Sequence, residues 1–199
     1  WMTPRRTRIP PWIGAARASL SIQVKLPSID QGKQGRGSVT RRIEILLEPR
    51  GIRAVAELLD EEAPKTCEAV WQGLPRSGPI WHAKFANNEI FILTPPFAAE
   101  EPGRENGTVF PIPGDLLYFF IPPGTPVPAD VREQCNATGL VDLALFYGRN
   151  NYLHGPEGHM PGNLFATITE GLKPLAAACQ EVWRHGGSSE TMTIRRLEE

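Results

Sequence analysis

From Arg42 onward the chain consists of apolar runs no longer than a single strand, each cut short by Pro, Gly or Asn; 19 Gly and 20 Pro stand among its 199 residues. Strands this short need closure to protect their edges, and two helices are enough to cap the open ends of the resulting antiparallel barrel. RIEILLE (42–48) and GIRAVAELLD (51–60) predict a hairpin around the turn at 49–51. PIWHAKFA (79–86) and EIFILT (89–94) predict a second around Asn87-Asn88, because Asn tolerates positive φ. DLLYFFI (115–121), LVDLALFYG (140–148), NLFATIT (163–169) and TMTIRRL (191–197) read as further strands, with loops over 95–115, where TVF (108–110) is brief, and over 149–162.

Two segments switch from a period of two to the helical period. In 61–75, Cys67, Val70, Trp71 and Leu74 repeat as one apolar face, Pro64 suits the first helical position, and Pro75 ends the run. In 171–184, Leu172, Leu175, Ala176, Cys179, Val182 and Trp183 trace a stripe, with Arg184 and His185 at the negative end and Gly186 just beyond. The fold class that follows is mainly β: a closed antiparallel β-barrel of about eight strands over 40–199, with two capping α-helices.

Charge divides the chain. Residues 1–39 hold seven Lys/Arg and one Asp, a net of +6, whereas 40–199 hold 14 basic and 21 acidic residues, a net of −7. An acidic domain repels phosphate backbones, which argues against nucleic acid as a partner. Residues 1–39 read as a basic, disordered extension, Gly- and Ser-rich toward its end; Arg17 interrupts the apolar patch a signal peptide would need, and Trp1 before Met2 fits an extended or fragmentary reading frame. No run approaches the ~20 apolar residues that span a membrane. Cys67, Cys135 and Cys179 have no paired spacing; Cys67 and Cys179 fall on apolar positions of predicted helices and read as buried thiols in a reducing compartment, so a cytoplasmic location is expected.

AVAELLDEEAPKTCEAVWQGLP (54–75) resembles the second strand and first helix of cyclophilins. PIPGDLLYF (111–119), LALFYGRN (143–150), PGNLFATI (161–168) and LAAACQEVWRHGG (175–187) follow in order. Together they resemble a bacterial and archaeal cyclophilin-like family, domain-of-unknown-function family 3830. The resemblance spans about 40–199 and implies a cyclophilin-like barrel without an established activity. Cyclophilins carry an F-H-R segment followed by a Gln and a G-D; here RSGPIWHAKFANNEIF (76–91) lacks that Arg and Gln, so prolyl isomerisation is not expected.

FYGRN (146–150) is the most informative polar cluster. It places the Tyr147 hydroxyl, a close backbone approach at Gly148, the Arg149 guanidinium and Asn150 at one strand end, where Arg149 can clamp a planar anion. The plainer reading is that Arg149 pins a loop by pairing with Glu105 or Asp115. His82 is a candidate general acid or base, or a structural donor. Glu105 and Asn106 are candidates for the same pocket, or simply turn residues before Gly107. His154, Glu157 and His159 sit in a Gly/Pro loop without metal-ligand spacing, so no metal and no cofactor is expected. The functional expectation is a small polar or anionic metabolite bound at the barrel rim. The alternatives are a hydrolase or isomerase with His82 as proton carrier, and a weak prolyl isomerase or peptide binder. Homo-oligomers are compatible with the apolar strands, and no membrane partner is expected.

Overall fold

Ile43, Ile45 and Leu47 are fully buried along β1 (Arg42–Leu47), so a period of two sends one face of the strand inward. The structure is a computed structural model that describes residues 40–155, 158–186 and 190–198; the basic segment 1–39 and Glu157 lie outside them. β1 turns through Glu48–Arg50 and Gly51, left-handed at φ 63°, into β2 (Ile52–Leu58), in the expected hairpin. α1 (Pro64–Gly73) follows with Pro64 in its first turn. After it come β3 (Arg76–Pro79), β4 (Trp81–His82), β5 (Glu89–Thr94), β6 (Gly107–Thr108) and β7 (Asp115–Ile121). Then come α2 (Arg132–Thr138), β8 (Leu140–Phe146), the short pair β9 (His154–Gly155) and β10 (Gly158–His159), β11 (Gly162–Glu170), α3 (Leu172–His185) and β12 (Thr191–Arg196).

The main sheet runs β3-β12-β1-β2-β11-β7-β8-β5-β4, with β6 added to β11. Every pairing in it is antiparallel. Its two ends are consecutive in the chain, and β3 lies over β5: a Cβ at Gly78 would stand 3.5 Å from the Ile92 Cβ. The result is the nearly closed antiparallel barrel expected from the sequence. The second hairpin is shorter than expected. Only Trp81 and His82 pair with β5, because the Ile80 N–H still donates to Glu190 O (3.0 Å) and β3 belongs to β12.

Barrel residues such as Ile45, Ala56, Ile92, Leu143, Phe165 and Ile194 share one core with Cys67 and Val70 of α1 and with Leu175, Cys179 and Val182 of α3. A second, smaller cluster (Leu117, Ala144, Phe146, Leu153) occupies the other face of β7 and β8. α2 is a third helix that the expectation of two omitted. It is only seven residues long, buries Cys135 alone, and stops at Gly139 (φ 80°), where a Cβ would meet Ile121 O at 2.6 Å. All three cysteines are free and buried. Among the described residues no helix is long and apolar enough to cross a membrane.

Trp183 departs from the expected stripe. Leu175, Ala178, Cys179 and Val182 face the core, while Trp183 lies one position off that row and is 63% exposed.

Candidate functional site

The β8 strand delivers Tyr147 to the barrel end, and the Asn87-Asn88 turn holds the chain there. The Tyr147 N–H donates to Asn88 O (3.0 Å), the Asn88 amide to Arg149 O (2.7 Å) and the Asn87 amide to Asn150 O (2.6 Å). Gly148 is required by this approach: a Cβ there would fall 2.6 Å from the Asn88 side chain. Asn87 and Asn150 both sit at φ 63°, the left-handed region Asn tolerates. Asn151, buried, accepts from the Asn88 N–H (3.1 Å) and donates to Pro111 O (2.9 Å) and Gly148 O (2.7 Å).

This fixed strand end lines a cleft of about 300 Å³ together with Gln180 and Trp183 of α3. Tyr147, Arg149 and Asn150 are therefore brought together. Arg149 makes no ion pair among the described residues. Both partners of the plainer reading are engaged elsewhere. Asp115 accepts from the Ile112 N–H (2.8 Å). Glu105 accepts from the Thr66 N–H (2.7 Å), the Thr66 hydroxyl (2.9 Å) and the Lys65 N–H (3.3 Å). Burial pushes the Glu105 carboxyl up, but these bonds outweigh it and hold it below the usual range.

Glu105 thus caps the first turn of α1, where its charge suits the helix dipole. Asn106, at φ 41°, donates to Leu164 O (2.9 Å) and ties its loop to β11. Neither residue lines the cleft.

His82 stands behind the cleft rather than in it. Its Nδ1 is 3.0 Å from Ala83 O and its Nε2 is 2.6 Å from the Tyr147 hydroxyl. A carbonyl only accepts, so Nδ1 carries the proton and Nε2 accepts the Tyr147 O–H. Burial lowers the His82 pKa, consistent with a neutral ring. Burial, with a smaller contribution from Cys179, raises the Tyr147 phenol to about 12. Tyr147 therefore spends its proton on His82, and, only 4% exposed, it forms the inner wall of the cleft.

A wider depression of about 560 Å³ between α1 and residues 97–102 holds none of the expected site residues. Sequence reasoning missed Gln180 and Trp183, which only the docking of α3 brings to the cleft. It also missed Glu89, 5% exposed, whose carboxyl burial raises to about 8. Asp142 lies on the same sheet face. Burial, then the charge of Glu89, pushes its carboxyl well up, and its buried Oδ1 has no hydrogen-bond partner among the described residues. Alternation along EIFILT places Glu89 beside Phe91 and Leu93, the one signal that could have flagged it.

The sequence from 45 to 194 matches the family model described as "Protein of unknown function (DUF3830)". No curated protein matches significantly. Among solved structures, McbB in complex with tryptophan aligns with a TM-score of 0.56 at 21% identity, over 79% of this chain and 45% of McbB. The chain thus spans under half the length of McbB. A hypothetical protein from Archaeoglobus fulgidus aligns at 20% identity and a TM-score of 0.43, over 82% of this chain and 99% of that one. The Mimivirus cyclophilin aligns at 14% identity and a TM-score of 0.45, over 81% and 90%. With 150 of its 199 residues inside the family model, this chain belongs to the DUF3830 family of proteins of unknown function.

Proposed function

We propose that the barrel binds a small anionic metabolite in the cleft at the end of β8. The observation that carries this reading is the convergence of an exposed guanidinium free of ion pairs among the described residues, Arg149, with Tyr147, Asn150, Gln180 and the exposed Trp183 indole around one space of about 300 Å³. A carboxylate meets Arg149 in bidentate fashion. The side-chain carbonyl of Asn150 or Gln180, around the same space, accepts an N–H from the same ligand. A carboxylate carrying an amine or amide is the class that uses both. McbB, which shares the fold, is in complex with tryptophan, and tryptophan joins the probes on that ground.

A thermal-shift screen of small carboxylates, amides and tryptophan tests the reading. A ligand at 100 times its Kd stabilises the folded state by about 2.7 kcal/mol, which in a domain of this size raises Tm by several degrees. The shift is expected to vanish in Arg149→Ala. No shift with any probe, or an equal shift in Arg149→Ala, counts against the reading.

The 2.6 Å His82–Tyr147 bond favours a second reading, in which this pair moves a proton for a hydrolase or isomerase reaction. Turnover of any substrate found should then fall at least ~100-fold in His82→Ala. Wild-type turnover in that variant removes His82 from the chemistry.

A further inference from the structure

HGPEGH (154–159) suggests a Gly/Pro loop with nothing to fix its histidines, yet the chain folds back on itself there. β9 and β10 pair antiparallel with His154 directly opposite His159. Direct cross-strand partners project from the same face. Their ring centroids stand 6.1 Å apart. Tyr152, two residues before His154, follows the strand period onto that face. Its ring centroid is 5.6 Å from His154 and 5.5 Å from His159, and its hydroxyl lies 2.6 Å from His159 Nε2. All three side chains are exposed.

Backbone hydrogen bonds and a ring stack support them from beneath. Leu153 is buried, its N–H donates to Val109 O (2.9 Å) and its carbonyl accepts from the Met160 N–H (3.0 Å). Phe110 stacks on Tyr152 at 5.3 Å and 13°. A Cβ at Gly155 would meet Met160 Sδ at 2.4 Å, so the Met160 side chain packs directly over the Gly155 backbone.

We propose that His154, His159 and Tyr152 form a binding site for a first-row divalent transition-metal ion, tightest for Cu(II), with its remaining coordination positions open to water or a small ligand. Two imidazole nitrogens and a phenol oxygen suit Cu(II), Ni(II) and Zn(II), whereas Ca(II) and Mg(II) require oxygen-rich sets. With metal–nitrogen bonds of about 2.0–2.1 Å, ring centres 6.1 Å apart lie within the span two imidazoles reach around one ion at a wide angle. Binding exchanges the Tyr152–His159 hydrogen bond for two bonds to the metal. Among the described residues no group of three His, Cys, Asp or Glu exists to hold a metal, so the phenol and solvent complete this set.

The test titrates the metal-free full chain with Cu(II), and with Zn(II) for comparison, by calorimetry and electron paramagnetic resonance. One tightly bound Cu(II) with two nitrogen donors is expected. Losing a direct ligand should cost at least the ~10-fold typical of a supporting residue, so His154→Ala and His159→Ala are each expected to weaken binding by that factor or more. Tyr152→Phe, which keeps the stack on Phe110, should weaken it by a smaller factor. His185→Ala, on α3 beside Glu181, should leave it unchanged.

Wild-type affinity in either hairpin histidine variant, loss in His185→Ala, or a spectrum without two nitrogen donors means an adventitious ion only and overturns the proposal. Unchanged affinity in Tyr152→Phe overturns the three-donor set. The spectrum of the wild-type chain decides independently of whether any variant folds.

Discussion

Replacing Glu89 by Gln raises the melting temperature above pH 8 by roughly 5–10 °C and flattens the pH dependence of stability between pH 4.5 and 8. Glu89 is 5% exposed among Phe146, Ala144 and Phe91, and burial moves its carboxyl from 4.5 to about 8. A folded-state pKa above the unfolded value means the folded protein holds its proton longer. Its contribution is therefore fully favourable below pH 4.5 and is lost as the pH rises through 8. Each unit corresponds to about 1.4 kcal/mol, so the loss amounts to a few kcal/mol. Gln keeps the shape and has no charge to bury. Asp142, displaced in the same direction, leaves a residual slope in the variant. Thermal melts at pH 4.5 and pH 9 check this; parallel curves for wild type and Glu89→Gln would show that the carboxyl is not held neutral.

Phe165→Ala is expected to cost about 3–5 kcal/mol and to lower Tm by roughly 10 °C. Phe165 is fully buried where β11 slips register against β7, between Leu164 and Ala166. Its carbonyl, turned out of that ladder, accepts from the Leu59 N–H (2.8 Å) and the Cys67 thiol (3.2 Å), so one irregular residue joins β11 to the start of α1. Removing its ring leaves a cavity where the barrel and α1 meet, and the nearly closed sheet resists collapsing to fill it. Trp183→Ala removes a larger ring but one that is 63% exposed, and its stability effect should stay within about 0.5 kcal/mol. Urea unfolding of the two variants checks the contrast; a loss below about 1 kcal/mol for Phe165→Ala would contradict the core position.

These cases show where sequence reasoning holds and where it stops. Strand period and turn chemistry are local, so β1, β2, β7, β8, β11 and β12 match their expected runs within a few residues. FYGRN was also legible, because a Tyr, a Gly and an Arg at a strand end carry their own chemistry. Glu105 and Asn106 read as candidates for that pocket or as turn residues. What sent them elsewhere was the approach of Thr66 and Leu164, 39 and 58 residues away in sequence. Trp183 shows the opposite error: a residue adjacent to an apolar stripe reads as core until the helix docks and its angle is known.

The sequence by itself determined the barrel, because short apolar runs with Gly and Asn turns leave antiparallel closure as the way to bury them. Tertiary structure decided the rest of the candidate site. Which side chains share a cleft depends on how α3 meets the end of β8, and which acid has its pKa pushed up depends on the apolar face that β5 and β8 form together. Both are sums of contacts between residues far apart in the chain, and no local pattern encodes them.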